Sequence, residues 1–430
     1  MDAQKKMTVR GIAWQVLNKC ATAEQYSNLA LDAAIKRADL CDADRGLLTA
    51  LVYGVLERGI TLDYWIDALQ TKRENAPDPE TRTLLRLGLY QLAFLDRVPD
   101  HAAVNETVEL APRRTKGFVN AILRAFLRAG KTPALPDPER EPVRYLSVRY
   151  SFCPEICETF LETYGRERTE SLFAAFEKQP PLTLRVNTLR VAREEFLERL
   201  QQAGYTAEAT LESNSGVALS GASVARLPGF DEGWFFVQDE ASQLCVEALD
   251  AAPGMRVLDT CACPGSKSFG AAIEMKNTGE LISCDLHRSK LSLVESGARR
   301  LGISILSVRE RDARERAPEW KGYFDRVLCD VPCSGFGVFA KKPELRYKDP
   351  ARSAGLPAIQ AEILHSSAAF VKPGGLLVYS TCTLLPRENG EVVRTYLEKD
   401  PSFELVRERT LYPDVDGTDG FYFAVLKKHE

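Results

Sequence analysis

Histidine is scarce. His101, His287, His365 and His429 are the four in 430 residues, and they lie far apart in the chain. The commonest metal ligand is therefore thinly supplied, and no histidine is an obvious partner for activating a thiol. The eleven cysteines are scattered and odd in number, which does not suggest a disulfide framework. Cys153-x-x-x-Cys157 and Cys261-x-Cys263 lack a second ligand pair at zinc-site spacing, so no metal is expected. No apolar run reaches the roughly 18 residues of a membrane helix. The opening MDAQKKMTVRG has basic residues but no apolar core of a secretory signal, so a cytoplasmic protein is expected. Positive charge is not in excess either. A formal net charge of -4 excludes a uniformly basic coat, though not a local basic face. Neither GxxxxGK[ST] nor GxGxxG occurs, which disfavours phosphate-rich and dinucleotide ligands.

What remains is an ordinary globular composition, 45% hydrophobic and 27% charged, in a chain too long for a single core. Residues 42–59 and 117–130 carry apolar side chains at helical spacing, each run closed by glycine, which predicts a helical bundle. The proline-rich KTPALPDPEREPV (131–143) reads as a linker. Residues 144–240 look mixed: PLTLRVNT (181–188) alternates like a strand and SNSGVALSGAS looks turn-rich. From about 252 strands and helices alternate. MRVLDT, ELISCD, SILSVRE, DRVLCD and GLLVYST are the strands, which predicts a parallel, doubly wound α/β sheet. SFELV and GFYFAVLKK are candidates for an added edge pair. Domain boundaries are expected at 1–140, 141–240 and 241–430.

In such sheets ligands bind beyond the carboxyl ends of the strands. Each polar cluster of note falls there: Asp259 with Cys261-Ala262-Cys263-Pro264-Gly265-Ser266-Lys267-Ser268, then Asp285, Asp312, Asp330-Val331-Pro332-Cys333, and Thr381-Cys382-Thr383. The first is a small-residue turn before a helix, where backbone amides face a polar ligand. Asp285 suits the two hydroxyls of a ribose, or alternatively a helix cap before His287. Asp312 suits an adenine edge, or alternatively a turn. A nucleoside without phosphates fits this set, and S-adenosylmethionine is one. A lone cysteine near a strand is more often packing than catalytic, but Cys333 and Cys382 both sit just past neighbouring strands in polar company, which weighs against that reading. A catalytic thiol needs help to ionise, and Pro386 is placed to open a helix whose N-terminus would give it.

These motifs carry a resemblance. DTCACPGSKS, DVPCSGFG and YSTCTLLPREN resemble the RNA 5-methylcytosine methyltransferases, most closely the Sun/RsmB ribosomal RNA branch. LLTALVYGVLERGITLDYWI and GFVNAILRAFLR resemble the all-helical RNA-binding NusB domain. The resemblance implies a Rossmann-like methyltransferase sheet preceded by a NusB-like domain and a small α+β domain. It implies S-adenosylmethionine held by residues 261–267 with Asp285, Asp312 and Asp330. It makes Cys382 the nucleophile and Cys333 the assisting cysteine, acting on a cytidine of 16S ribosomal RNA before assembly is complete. Asp330 would hold the cytosine ring, and Lys267 would orient the loop or that carboxylate, or alternatively be merely structural. Ser266 stands where the family has glycine, a substitution that a positive φ would penalise. Arg113, Arg114, Lys116, Arg124 and Arg128, with Lys131, would form the RNA-facing basic patch, against the plainer reading of solvated helix charges. A monomer without membrane or metal partners is expected. The rivals are a non-catalytic RNA-binding factor, a transfer RNA methyltransferase and, least favoured, a dinucleotide oxidoreductase.

Overall fold

The computed structural model describes residues 8–23, 27–38, 40–70, 76–221 and 223–430. The chain divides into two compact units. One runs to Ala174 and includes Lys342–Pro350. The other comprises Ala175–Lys341 and Ala351–Glu430.

The first unit is helical: α1 (Val9–Ala23), α2 (Ser27–Arg37), α3 (Asp42–Glu57), α4 (Gly59–Leu69), α5 (Pro79–Phe94), α6 (Asp100–Leu110), α7 (Lys116–Arg128), α8 (Pro142–Tyr150) and α9 (Pro154–Ala175), the last interrupted at Gly165. Its starts follow from local chemistry. Asp78 accepts a hydrogen bond from the Thr81 amide at 3.0 Å, and Pro79 follows it in the first turn of α5. The periodic residues are buried as their spacing predicts: Leu48, Leu51, Val52 and Val55 on α3, and Val119, Ile122, Leu123 and Phe126 on α7. Gly59 is not merely a stop, because α4 begins on it. Gly54 permits close approach of α3 to α5, since a Cβ there would lie 1.9 Å from the Tyr90 ring.

The second unit holds two sheets. The smaller has antiparallel order β2-β3-β1-β4, from β1 (Leu182–Val186), β2 (Ala207–Ala209), β3 (Gly216–Leu219) and β4 (Phe235–Val237). The stretch expected to be turns thus contains β3, whose Val217 and Leu219 bury against Phe196 and Leu200 of α10 (Arg193–Gln202). Tertiary burial outweighed the turn propensity of its flanking serines and glycines.

The larger sheet has order β10-β11-β9-β8-β5-β6-β7. Its strands are β5 (Arg256–Asp259), β6 (Glu280–Asp285), β7 (Leu306–Glu310), β8 (Phe324–Asp330), β9 (Val371–Thr381), β10 (Phe403–Leu411) and β11 (Phe421–Lys428). β5 to β9 are parallel, and β11 and β10 extend the edge antiparallel, as the sequence suggested. Strand alternation divides the apolar side chains between two cores. Val257, Leu328 and Val378 face α11 (Glu240–Ala248), α12 (Ser266–Glu274) and α13 (Arg288–Leu301). Leu258, Val327, Cys329, Leu377 and Tyr379 face α14 (Leu356–Phe370) and α15 (Gly390–Lys399). Burial on both faces explains why these strands read as unbroken apolar runs. Among the described residues no helix is long and apolar enough to cross a membrane, and no group of three or more His, Cys, Asp or Glu is arranged to hold a metal ion.

Candidate active site at the carboxyl ends of the strands

The parallel register carries β8 and β9 side by side to Asp330 opposite Ser380, and the chain leaves both strands at once. The Val331 amide still donates to the Ser380 carbonyl at 3.1 Å, and the Gly337 amide donates to the Cys382 carbonyl at 3.0 Å. These bonds hold the two post-strand loops together. Their cysteines meet: Cys333 Sγ and Cys382 Sγ lie 3.3 Å apart, both half-buried and unbridged. The sulfur–sulfur hydrogen bond and then burial push the Cys333 thiol well above its ordinary range.

Asp330 is fixed at both oxygens. Lys267 Nζ donates to Oδ2 and Ser380 Oγ donates to Oδ1, each at 2.7 Å. Burial alone would depress the Lys267 ammonium. The Asp330 carboxylate beside it outweighs burial, and the pKa stays above its ordinary value. Lys267 also lies 5.2 Å from the centre of the Phe421 ring. Lys267 is thus tied to the Asp330 carboxylate by a hydrogen-bonded ion pair.

The loop between β5 and α12 is braced from within. Ala262 N donates to the Cys284 carbonyl at 2.7 Å, and Gly265 N donates to the Ala262 carbonyl at 2.7 Å. Gly265 takes φ 111°, and a Cβ there would meet the Phe269 ring at 2.6 Å. Ser266 is already the first residue of α12. The positive φ feared for Ser266 falls on Gly265 instead, so serine at 266 meets no backbone strain. Asp259 is almost wholly buried, accepting from Ser268 Oγ at 2.6 Å and from the Cys261 amide at 3.3 Å. Burial lifts its carboxyl to about 7, from an ordinary value near 4.

That shift has a sign. The folded state holds the Asp259 proton more tightly than the unfolded chain. Stability present below pH 4 is therefore lost as pH rises toward 7. Asp259→Asn removes this loss. Followed by chemical denaturation from pH 5 to pH 8, the variant should gain roughly 3 kcal/mol on the wild type. Parallel pH profiles would refute the assignment.

The other expected residues are placed as follows. Asp285 ends β6, and its Oδ1 accepts from the His287 amide at 3.0 Å. His287 itself caps α13, so the capping alternative for Asp285 holds only in part. Asp312 follows β7, and both its oxygens engage the Arg314 guanidinium, at 2.6 to 3.1 Å. Cys263 lies against Asp285, and burial first, then that carboxylate, pushes its thiol up to about 12. Pro386 opens a single 3-10 turn, Pro386–Glu388, and α15 starts only at Gly390. The expected helix N-terminus at Pro386 is therefore displaced by four residues, because the side chains of Glu388 and Asn389 are used for other bonds. In the helical unit, Arg113, Arg114, Arg124 and Arg128 are exposed, and Lys116 is half-buried. Several share their charge: Arg114 with Asp78, Lys116 with Glu109 and Lys131 with Asp100, while Arg124 donates to Asn120.

Two side chains bonded into this site, Ser380 and Glu388, carry no signal of that in the linear sequence. Ser380 is visible only through strand register. Glu388 belonged to a noted motif, but its burial was not legible there.

The geometry accords with three family-level matches: 16S rRNA methyltransferase RsmB/F over residues 246–427, the NusB family over 7–128, and the RsmF/B-like ferredoxin-like domain over 156–225. A probable ribosomal RNA small subunit methyltransferase B of Bacillus subtilis is 39% identical over 99% of both chains. The ribosomal RNA small subunit methyltransferase B of Pseudomonas putida is 35% identical over 98% of this chain and 99% of that one. A solved methyltransferase homolog protein from Pyrococcus horikoshii aligns with 68% of this chain and 99% of its own, with 27% identity and a TM-score of 0.60. With paired cysteines at the ends of adjacent parallel strands and such identity over its whole length, the chain belongs to the RsmB/F family of 16S rRNA methyltransferases.

Proposed function

We propose that the chain methylates carbon 5 of a cytidine in 16S ribosomal RNA through a covalent cysteine–cytosine intermediate. The observation that carries this reading is the 3.3 Å pair of Cys333 and Cys382 beside the anchored Asp330. The family's methyl donor is S-adenosylmethionine, and the residues at the strand ends fit it. Gly265 lets the loop 261–267 turn tightly against the Phe269 ring, where a side chain would clash. Asp285 has one oxygen committed to the His287 amide and another for a ribose hydroxyl. Asp312 and Asp330 complete the acidic rim. Bound there, S-adenosylmethionine supplies an electrophilic methyl group.

The protein's own part follows from what cytosine lacks. Carbon 5 is a poor nucleophile. The Cys382 thiolate adds to carbon 6 and makes carbon 5 enamine-like. Asp330 holds the ring nitrogen at position 3 and stabilises its protonated form. Lys267 and Ser380 keep that carboxylate from turning away. Once carbon 5 is methylated, its proton passes to Cys333 or to a base or water beside it, the carbon–sulfur bond breaks and the thiolate of Cys382 is regenerated. A stacked cytosine hides carbon 6, so the target base is unpaired or flipped.

The basic face of the helical unit holds RNA phosphates in this reading. Replacing Arg113 and Arg128 together by glutamate should weaken RNA binding and reduce the slope of log affinity against log salt by about 2, leaving S-adenosylmethionine affinity intact. An unchanged slope in filter binding would remove these residues from the interface. The reading as a whole is tested by incubating the protein with unassembled 16S ribosomal RNA and S-adenosylmethionine, followed by bisulfite sequencing. One cytidine should become resistant to conversion. A methyl group on any other atom would defeat the proposal.

A further inference from the structure

Both cysteines are held by the same two consecutive residues. Glu388 is fully buried. Its Oε2 accepts from the Ser334 amide at 2.9 Å, immediately after Cys333, and from Gln360 Nε2 at 3.0 Å. Gln360 Nε2 also donates to the Pro332 carbonyl at 3.0 Å, immediately before Cys333. Cys333 is thus bracketed on both sides. Asn389 does the same for Cys382. Its Oδ1 accepts from Thr381 Oγ1 at 2.5 Å, and its Nδ2 donates to the Thr383 carbonyl at 3.0 Å. Tyr379 anchors the dipeptide by donating to the Glu388 carbonyl at 2.6 Å. A direct tie, between Ser334 and Thr383 hydroxyls at 2.8 Å, joins the two brackets.

We propose that Glu388 and Asn389 are positioning residues for the two halves of the reaction, Glu388 acting through Gln360 and Ser334 on Cys333, and Asn389 acting on Cys382. This rests on the cysteine roles proposed above. Backbone bonds alone leave these post-strand loops free to rotate about their side chains' attachment points. Four side-chain bonds from two adjacent residues fix the sulfurs in register. A misplacement of about 1 Å costs on the order of a hundredfold in rate.

Glu388 Oε1 is buried without a hydrogen-bond partner among the described residues. That detail makes the role testable against general-base catalysis. In Glu388→Gln the amide oxygen replaces Oε2 and keeps both its donors, while the amide nitrogen falls at the unpartnered position. A positioning role survives that exchange, and a proton-accepting role does not.

The experiment uses the full-length protein with 16S ribosomal RNA and S-adenosylmethionine, reading methylation and denaturation-resistant RNA adduct together. Glu388→Ala should lose about a hundredfold in turnover and accumulate adduct, as Cys333→Ala does. Glu388→Gln should recover most of the lost turnover and clear the adduct. Asn389→Ala, placed in the Cys333→Ala background, should slow adduct formation by a similar factor. Should Glu388→Ala fail to fold, Gln360→Met removes the Pro332 bond and one of the two donors to Glu388, leaves the Ser334 bond in place, and should still accumulate adduct. Adduct in Cys333→Ala but none in Glu388→Ala or Gln360→Met would overturn the positioning role alone, as would an inactive Glu388→Gln. No adduct even in Cys333→Ala would instead overturn the cysteine assignment.

Discussion

Replacing Cys333 by alanine should leave the protein covalently attached to its RNA. Cys382 still adds to carbon 6 and carbon 5 is still methylated, but the half-buried thiol 3.3 Å away that assists release is gone. A band that survives denaturation and disappears with ribonuclease is the expected result. Cys382→Ala should give no band, and methylation should fall on the order of 10⁴-fold or more, as when other covalent nucleophiles are removed. The contrast between the two variants matters more than either alone. Loss of activity in both, without adduct, would mean that the cysteines only pack. Adduct in Cys382→Ala and none in Cys333→Ala would exchange the roles.

Asp330→Asn should cut turnover by about a hundredfold to a thousandfold, the usual cost of removing one preorganised electrostatic partner of a developing charge. An amide cannot balance a protonated ring nitrogen. The substitution also strands the Lys267 ammonium, whose side chain is 11% exposed. Breaking such a pair destabilises by a few kcal/mol, whereas replacing both members is close to neutral. Asp330→Asn with Lys267→Met should therefore regain most of the lost stability in a denaturant melt and none of the lost turnover. If activity returned with stability, Asp330 would be a structural partner of Lys267 and no more.

The sheet was legible because its strands are short apolar runs that end in polar residues, and burial on both faces demands such runs. β5, β6, β8 and β9 end at Asp259, Asp285, Asp330 and Thr381, where the strand-end carboxylates and the cysteine loop were sought. The helical unit was legible for the same reason at period 3.6. β3 was not, because a four-residue strand among serines and glycines is specified by what it packs on. The turn at Pro386 was misjudged for a similar reason. Proline opens either helix type, and only the bonds from Glu388 and Asn389 to the cysteine loops decide for the tighter one. Motif residues name the chemistry, whereas the residues that hold them in place are recognised from hydrogen bonds that no linear spacing encodes. The basic patch illustrates the converse. In sequence Arg114, Lys116 and Lys131 look like free positive charge, but folding brings Asp78, Glu109 and Asp100 alongside.

The central claim is that one sulfur attacks and the other releases. RNA carrying 5-fluorocytidine blocks release, because fluorine cannot leave carbon 5 as a proton does. Wild-type protein incubated with such RNA and S-adenosylmethionine should be trapped as a stable adduct. After digestion, mass spectrometry should find the methylated fluorocytidine on the peptide containing Cys382. Finding it on Cys333, or finding no nucleotide-bearing peptide while methylation of ordinary RNA proceeds, would contradict the account.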